Sequence, residues 1–157
     1  VRLVGSEMCI RDRDMSDLAG ARTRARNPGD FVILPETISK EPLGPSVRRG
    51  DDEWFQIVRW SFYTMVEAEE NGLTSANVDE KRKTSKVPQV MRLTGTGDDT
   101  GKLLGLDKDW SYRIIKQVGN YGESWTKNFG PQTPLNLPRG LNNLWTNGGI
   151  LYAPPIR

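Results

Sequence analysis

Pro35, Pro42 and Pro45 fall within one short passage, and nothing else in the 157-residue chain so narrows the conformations open to it. Each proline fixes its own φ and disfavours helix in the residue before it. Around them, Phe31 to Leu34 reads as a short buried strand, followed by a proline-punctuated crossing and a second extended piece. Asp51 then begins an acidic helix start. A passage restrained in this way suits a chain that leaves one lobe and begins another.

Most of what flanks the crossing reads as helix. Asp14 to Arg26 is a short helical candidate with Leu18, Ala19, Ala21 and Ala25 as small apolar positions, stopped by Asn27-Pro28-Gly29. The next helix starts after Gly50, where Asp51, Asp52 and Glu53 set negative charge at the positive end of the helix dipole. Its apolar residues, from Trp54 through Val66, cover more than one narrow face and predict burial on several sides. Asn71-Gly72 is its stop signal. Glu67, Glu69 and Glu70 lie near that end and are expected to be solvent-exposed.

Residues 76–86 are polar and lysine-rich, a loop or a solvated helical turn, and Val87 to Leu93 is a further short helix. From Asp109 onward, Trp110, Ile114, Val118, Tyr121 and Trp125 recur at helical spacing as one apolar stripe. Gly119 and Gly122 interrupt it, each costing about 1 kcal/mol relative to alanine, so they mark either a helix break or a close approach by another backbone. Arg139 to Trp145 is the last expected helix, before an extended tail.

Composition removes several functional classes. The chain has no histidine, which excludes Ser-His-Asp and Cys-His catalysis and histidine-containing zinc sites within it. A single cysteine, Cys9, excludes an internal disulfide. The net charge of +2, with both signs interspersed, selects neither nucleic acid nor an anionic membrane. Arginines cluster from Arg11 to Arg26 without the interleaved aromatics of a nucleic-acid surface, so no nucleic-acid partner is expected. Gly95 to Leu103 lacks the spacing of a phosphate loop, and Asp98 and Asp99 would repel phosphate. The abundant carboxylates allow a two-acid hydrolase by inventory, yet Asp51, Asp52 and Glu53 are accounted for by helix initiation. The expectation is a protein that is not an enzyme and needs no metal or cofactor.

Val1 to Arg13 stands apart, with neither helical stripe nor strand alternation. Ser6 to Arg13 resembles translated sequencing adapter, the alternative being a disordered native tail, and this segment is left out of the fold reasoning.

Beyond it, a resemblance runs from about Asp14 to Arg157. It is carried by Ile33-Leu-Pro-Glu36, Ser39-Lys-Glu-Pro-Leu-Gly-Pro45 and Val47 to Trp54. Downstream it continues through Ala68 to Val78, Asp109 to Glu123, Gly140 to Trp145 and Gly148 to Arg157. The chain resembles the amino-acid-binding proteins of ABC importers (solute-binding family 3), most of all the general L-amino-acid-binding periplasmic proteins. The resemblance implies an α/β fold class: a C-terminal fragment of a two-lobed periplasmic binding protein of type II, mostly helical with one or two short strands. It divides the chain into the end of the second lobe at residues 14–30, a hinge crossing with strands at 31–49, and the helical C-terminal part of the first lobe at 50–157.

It also implies roles. Asp14-Met-Ser-Asp-Leu-Ala19 matches a family pattern in which the aspartate accepts hydrogen bonds from the ligand's α-ammonium, charge-assisted and so stronger than neutral ones. The same position allows Asp14 to be only a helix N-cap. Leu34, Pro35 and Glu36, with Leu43, Gly44 and Pro45, are the hinge candidates. The family's carboxylate-binding arginine is expected upstream of residue 1. Implied partners are L-amino acids and membrane-embedded ABC permease subunits, with a periplasmic location and a monomeric state when intact. Alone, the chain is expected to be inactive. The alternative reading is a small helical protein–protein interaction domain, for which the burial of Trp54, Trp60, Trp110, Trp125 and Trp145 is the discriminator.

Overall fold

A computed structural model describes residues 10–39 and 42–156; Cys9 and most of the suspected tail lie outside them, as do Lys40 and Glu41 of the crossing. The helices are α1 (Met15–Thr23), α2 (Asp52–Glu70), α3 (Val78–Thr84), α4 (Pro88–Leu93), α5 (Trp110–Val118) and α6 (Tyr121–Asn128), with short 3-10 turns between and after them. The long helix α2 is the axis on which the rest is arranged: α4, α5 and α6 pack on it, and α3 packs on α4 and α5.

Local chemistry sets the ends of these helices. Asp51 caps α2, its Oδ1 accepting the Trp54 N–H at 3.1 Å, and Asp52 and Glu53 occupy the first turn. At the other end Gly72 takes φ +66°, a left-handed conformation that suits glycine. This turns the chain so that the Leu73 N–H reaches back to the Ala68 carbonyl at 2.8 Å. The lysine-rich stretch resolves into α3, with Asp79 and Glu80 in its first turn and Lys81, Arg82 and Lys83 in its last, as the helix dipole favours.

The interrupted stripe resolves at its two glycines in two different ways. Gly119, at φ +90°, breaks the helix between α5 and α6. Gly122 lies inside α6, and a Cβ there would come within 2.9 Å of Glu69 Oε1. Val118 is 55% exposed, so the stripe is not continuously buried.

Two apolar clusters result. The larger contains Ala68, Leu73, Leu93, Trp110, Ile115 and Ile156; the smaller contains Val66, Leu144 and Ala153. Both rest on the second half of α2. The predicted burial of that helix on several sides therefore holds only there, since Trp54 and Phe55 in its first turns are 52% and 42% exposed. Those first turns border an open groove shared with Leu103 and Leu104 of the 3-10 turn Gly101–Leu104.

Two local expectations change. Residues 31–34 are not a buried strand: they lack a ladder partner among the described residues, and Val32 is 81% exposed. The backbone at Phe31 is extended (φ −118°, ψ 132°), so the local preference is expressed while the pairing is not. The expected helix at Arg139–Trp145 is instead two 3-10 turns, Gly140–Asn142 and Trp145–Asn147. Asn143 turns extended between them, which lets Leu144 form an isolated parallel bridge with Leu151. Among the tryptophans, Trp110 is buried, Trp60 and Trp125 are half-buried, and Trp54 and Trp145 are exposed.

Candidate functional site

Asp14 occupies the N-cap position of α1. Its carbonyl accepts the Leu18 N–H at 2.9 Å. Its side chain, half-buried, makes no capping hydrogen bond. The helix therefore uses the Asp14 backbone and leaves the carboxylate uncommitted to the N–H groups of the first turn. Beside it, Arg13 pairs with Asp17 at 3.7 Å, an exposed contact.

The six hinge candidates lie in irregular chain on either side of residues 40–41. Leu34, Pro35 and Glu36 are exposed, as are Leu43, Gly44 and Pro45. Around Gly44 nothing approaches within 4 Å of where a Cβ would stand. Their neighbours are apolar and exposed as well, including Phe31, Val32 and Ile38. Among the described residues, no hydrogen bond or ion pair joins Asp14 to any of the six.

The residues that sequence reasoning missed are buried and polar. Glu67 is only 3% exposed, against the expectation of a solvated helix end. The Ile156 N–H donates to both of its carboxylate oxygens, at 3.3 and 3.2 Å, and the Gln89 amide donates to Oε1. Burial pushes its pKa up to about 7, with neighbouring Glu70 adding to the rise. Glu69 is also largely buried, in an ion pair with Arg139, whose guanidinium stands over the Tyr121 ring at 5.5 Å. Of the three glutamates at this end, only Glu70 is exposed.

Glu123 joins α6 to the loop before α3. Its carboxylate accepts the Ser75 hydroxyl at 2.6 Å and the Asn120 N–H at 2.8 Å. Asn120 caps α6 in return, accepting the Glu123 N–H at 2.8 Å, and donates its amide to the Leu73 carbonyl at 2.7 Å. The Asn-x-x-Glu spacing of this capping box is a signal the sequence did carry. Glu69, Asn120, Gly122 and Glu123 border an open depression of about 600 Å³. The side chains of Glu69, Asn120 and Glu123 are already paired with protein groups, and Lys127 and Gln132 line the same depression. Glu67, only 3% exposed, has no open face toward a substrate. Among the described residues no group of three or more His, Cys, Asp or Glu is placed to hold a metal ion. No helix among them is long and apolar enough to cross a membrane.

No family model matches the chain. Individual proteins do. It is 56% identical over 144 residues to YhdW of Escherichia coli strain K12, a candidate amino-acid ABC transporter-binding protein, covering 92% of this chain and 42% of that protein. It is 53% identical over 146 residues to the general L-amino acid-binding periplasmic protein AapJ of Rhizobium johnstonii, covering 92% of this chain and 42% of that one. Its backbone superposes on an ABC transporter periplasmic binding protein from Brucella ovis, solved with glutathione bound, at a TM-score of 0.85 and 51% identity. That match covers 90% of this chain and 44% of the Brucella protein. The chain is homologous to amino-acid-binding proteins of ABC transporters. It spans less than half the length of the relatives it matches. The resemblance read from the sequence is borne out, and so is the mostly helical fold class; the one isolated bridge among the described residues joins Leu144 to Leu151, away from the 31–49 crossing where strands were expected.

Proposed function

We propose that this chain supplies part of a periplasmic protein that binds L-amino acids without chemistry and delivers them to the permease subunits of an ABC transporter. The observation that carries the reading is the identity of 53–56%, sustained over 92% of the chain, to proteins named for amino-acid binding. In this reading residues 14–30 end one lobe, 31–49 cross between lobes, and 50–157 belong to the other. Leu34 to Glu36 and Leu43 to Pro45 form one hinge connection. Closure about it favours the bound state only as far as the ligand prefers the closed form.

Asp14 is the ligand contact proposed on this chain. Its uncommitted carboxylate supports the role, and glutathione and free amino acids both present an α-ammonium that an aspartate can accept. The chain by itself lacks a second cleft wall and does not retain an amino acid, because small-molecule sites enclose most of the ligand surface. The intact protein is a monomer in the periplasm with no enzymatic activity. The split among the tryptophans gives the helical interaction-domain reading no support of its own.

The test uses AapJ with this chain grafted in place of the matching segment. Asp14→Ala in that graft is expected to weaken L-amino-acid binding by about tenfold to a hundredfold, the range for losing one charge-assisted contact of 1.5–3 kcal/mol. Unchanged affinity in a folded graft would remove Asp14 from the site.

A further inference from the structure

Residues 144–156 lie along α2 as a strap. Leu144 and Ala153 join Val66 in the smaller cluster, and Ile156 enters the larger one beside Ala68. Trp145 Nε1 donates to Glu70 Oε1 at 3.1 Å. The strap is shaped by its own return: the Trp145 N–H reaches the Leu151 carbonyl at 2.9 Å, and the Leu151 N–H reaches the Asn143 carbonyl at 3.0 Å. At its end the Ile156 N–H meets the Glu67 carboxylate, buried beneath it.

We propose that Glu67 is the latch of this strap: neutral, it holds residues 144–156 on the core, and ionised, it lets them open to water. Two donors face the carboxylate, the Ile156 N–H from the strap and the Gln89 amide from α4. The charged groups acting on it are Glu70 from its own helix, which opposes ionisation, and Arg92 from α4, which favours it. Arg92 is already paired with Asp98 at 3.2 Å. Ionised Glu67 is thus a buried charge with no cation of its own, and the least costly way to hydrate it is to lift the strap.

The sign follows from linkage. Closed, Glu67 titrates near 7; opened, near its ordinary 4.5. Closure is then fully favoured below about pH 4.5 and weakens as pH rises toward 7, beyond which the dependence levels off.

Hydrogen–deuterium exchange of residues 144–156 in the full 157-residue chain, corrected for intrinsic exchange, reads the opening directly. Between pH 5 and 7 opening is expected to rise about fortyfold, while α5 shows no such slope. Glu67→Gln, which keeps a carbonyl acceptor for Ile156, is expected to flatten the profile. Gln89→Ala, which removes one donor to the carboxylate, is expected to move the midpoint to higher pH. A flat wild-type profile, an equal slope in α5, a Glu67→Gln profile that keeps its slope, or a midpoint unmoved by Gln89→Ala would each overturn the latch.

Discussion

Arg139 grips Glu69 with both terminal nitrogens, Nη2 reaching Oε2 at 3.1 Å, and the two side chains are only 18% and 15% exposed. The pair fastens the segment after α6 to the last turn of α2. Gly122 gives it room, since a Cβ there would also press on Arg139 Nη1 at 3.2 Å. Arg139→Ala leaves a largely buried carboxylate without its partner, and is expected to lower unfolding free energy by about 2–4 kcal/mol. Denaturant melts of both single variants and the double variant check this. A double variant no less stable than either single variant is the expected signature of coupling; additive losses would count against it.

Glu123 and Glu67 respond to pH in opposite senses. Burial alone would raise the Glu123 pKa, but the Ser75 hydroxyl and the Asn120 and Ser75 N–H groups outweigh it and bring it below the ordinary value. Its contribution is present above about pH 4.5 and is lost as pH falls through the lower folded value. Glu123→Gln is expected to cost about 1–2 kcal/mol at pH 7, the low end for charged hydrogen bonds because the group is partly exposed. Melts at pH 7 and pH 3 should show the gap narrowing in acid; a gap that widens in acid would refute the assignment.

Gly149 is where the strap has no room to spare. A Cβ built there would collide with the Asn143 carbonyl oxygen, so Gly149→Ala must push the strap apart. A loss of about 1–3 kcal/mol is expected, as for other forced overpacking. Gly105→Ala is the control, since that glycine has open space and only its φ of +66° to strain a side chain. A loss at Gly149 no larger than that at Gly105 would show that the strap yields to the added methyl and that the close approach does not constrain it.

The apolar residues between α1 and α2 are exposed, with Val32 at 81% and Ile38 at 82%. Self-association through such residues is the expected liability of the isolated chain. Val32→Lys should reduce it in light scattering while moving stability by no more than about 0.5 kcal/mol, as for a surface change. A large drop in stability would mean that Val32 is packed in solution.

What was legible in the sequence was local. The Asp51 cap and the Gly72 stop could be read because each acts within a few residues of itself, and so could the helix break, which falls at Gly119; what crowds Gly122 is the Glu69 and Arg139 side chains, not the second backbone that was expected. The fate of Glu67 was not legible, because its partners Gln89 and Ile156 lie 22 and 89 residues away. The Phe31 to Leu34 strand failed for the same reason: propensity supplies an extended backbone, whereas a ladder needs a partner elsewhere. Asp14 was legible as a helix start from its own residues. As a ligand contact it was legible only through the resemblance, since one carboxylate at an N-cap does not by itself name a ligand.

The graft into AapJ tests the proposed function most directly, by titration calorimetry with a panel of L-amino acids alongside the 157-residue chain alone. The expected result is saturable binding by the graft and no measurable heat from the chain. A graft that melts cooperatively yet binds no amino acid, or micromolar binding by the chain alone, would contradict it.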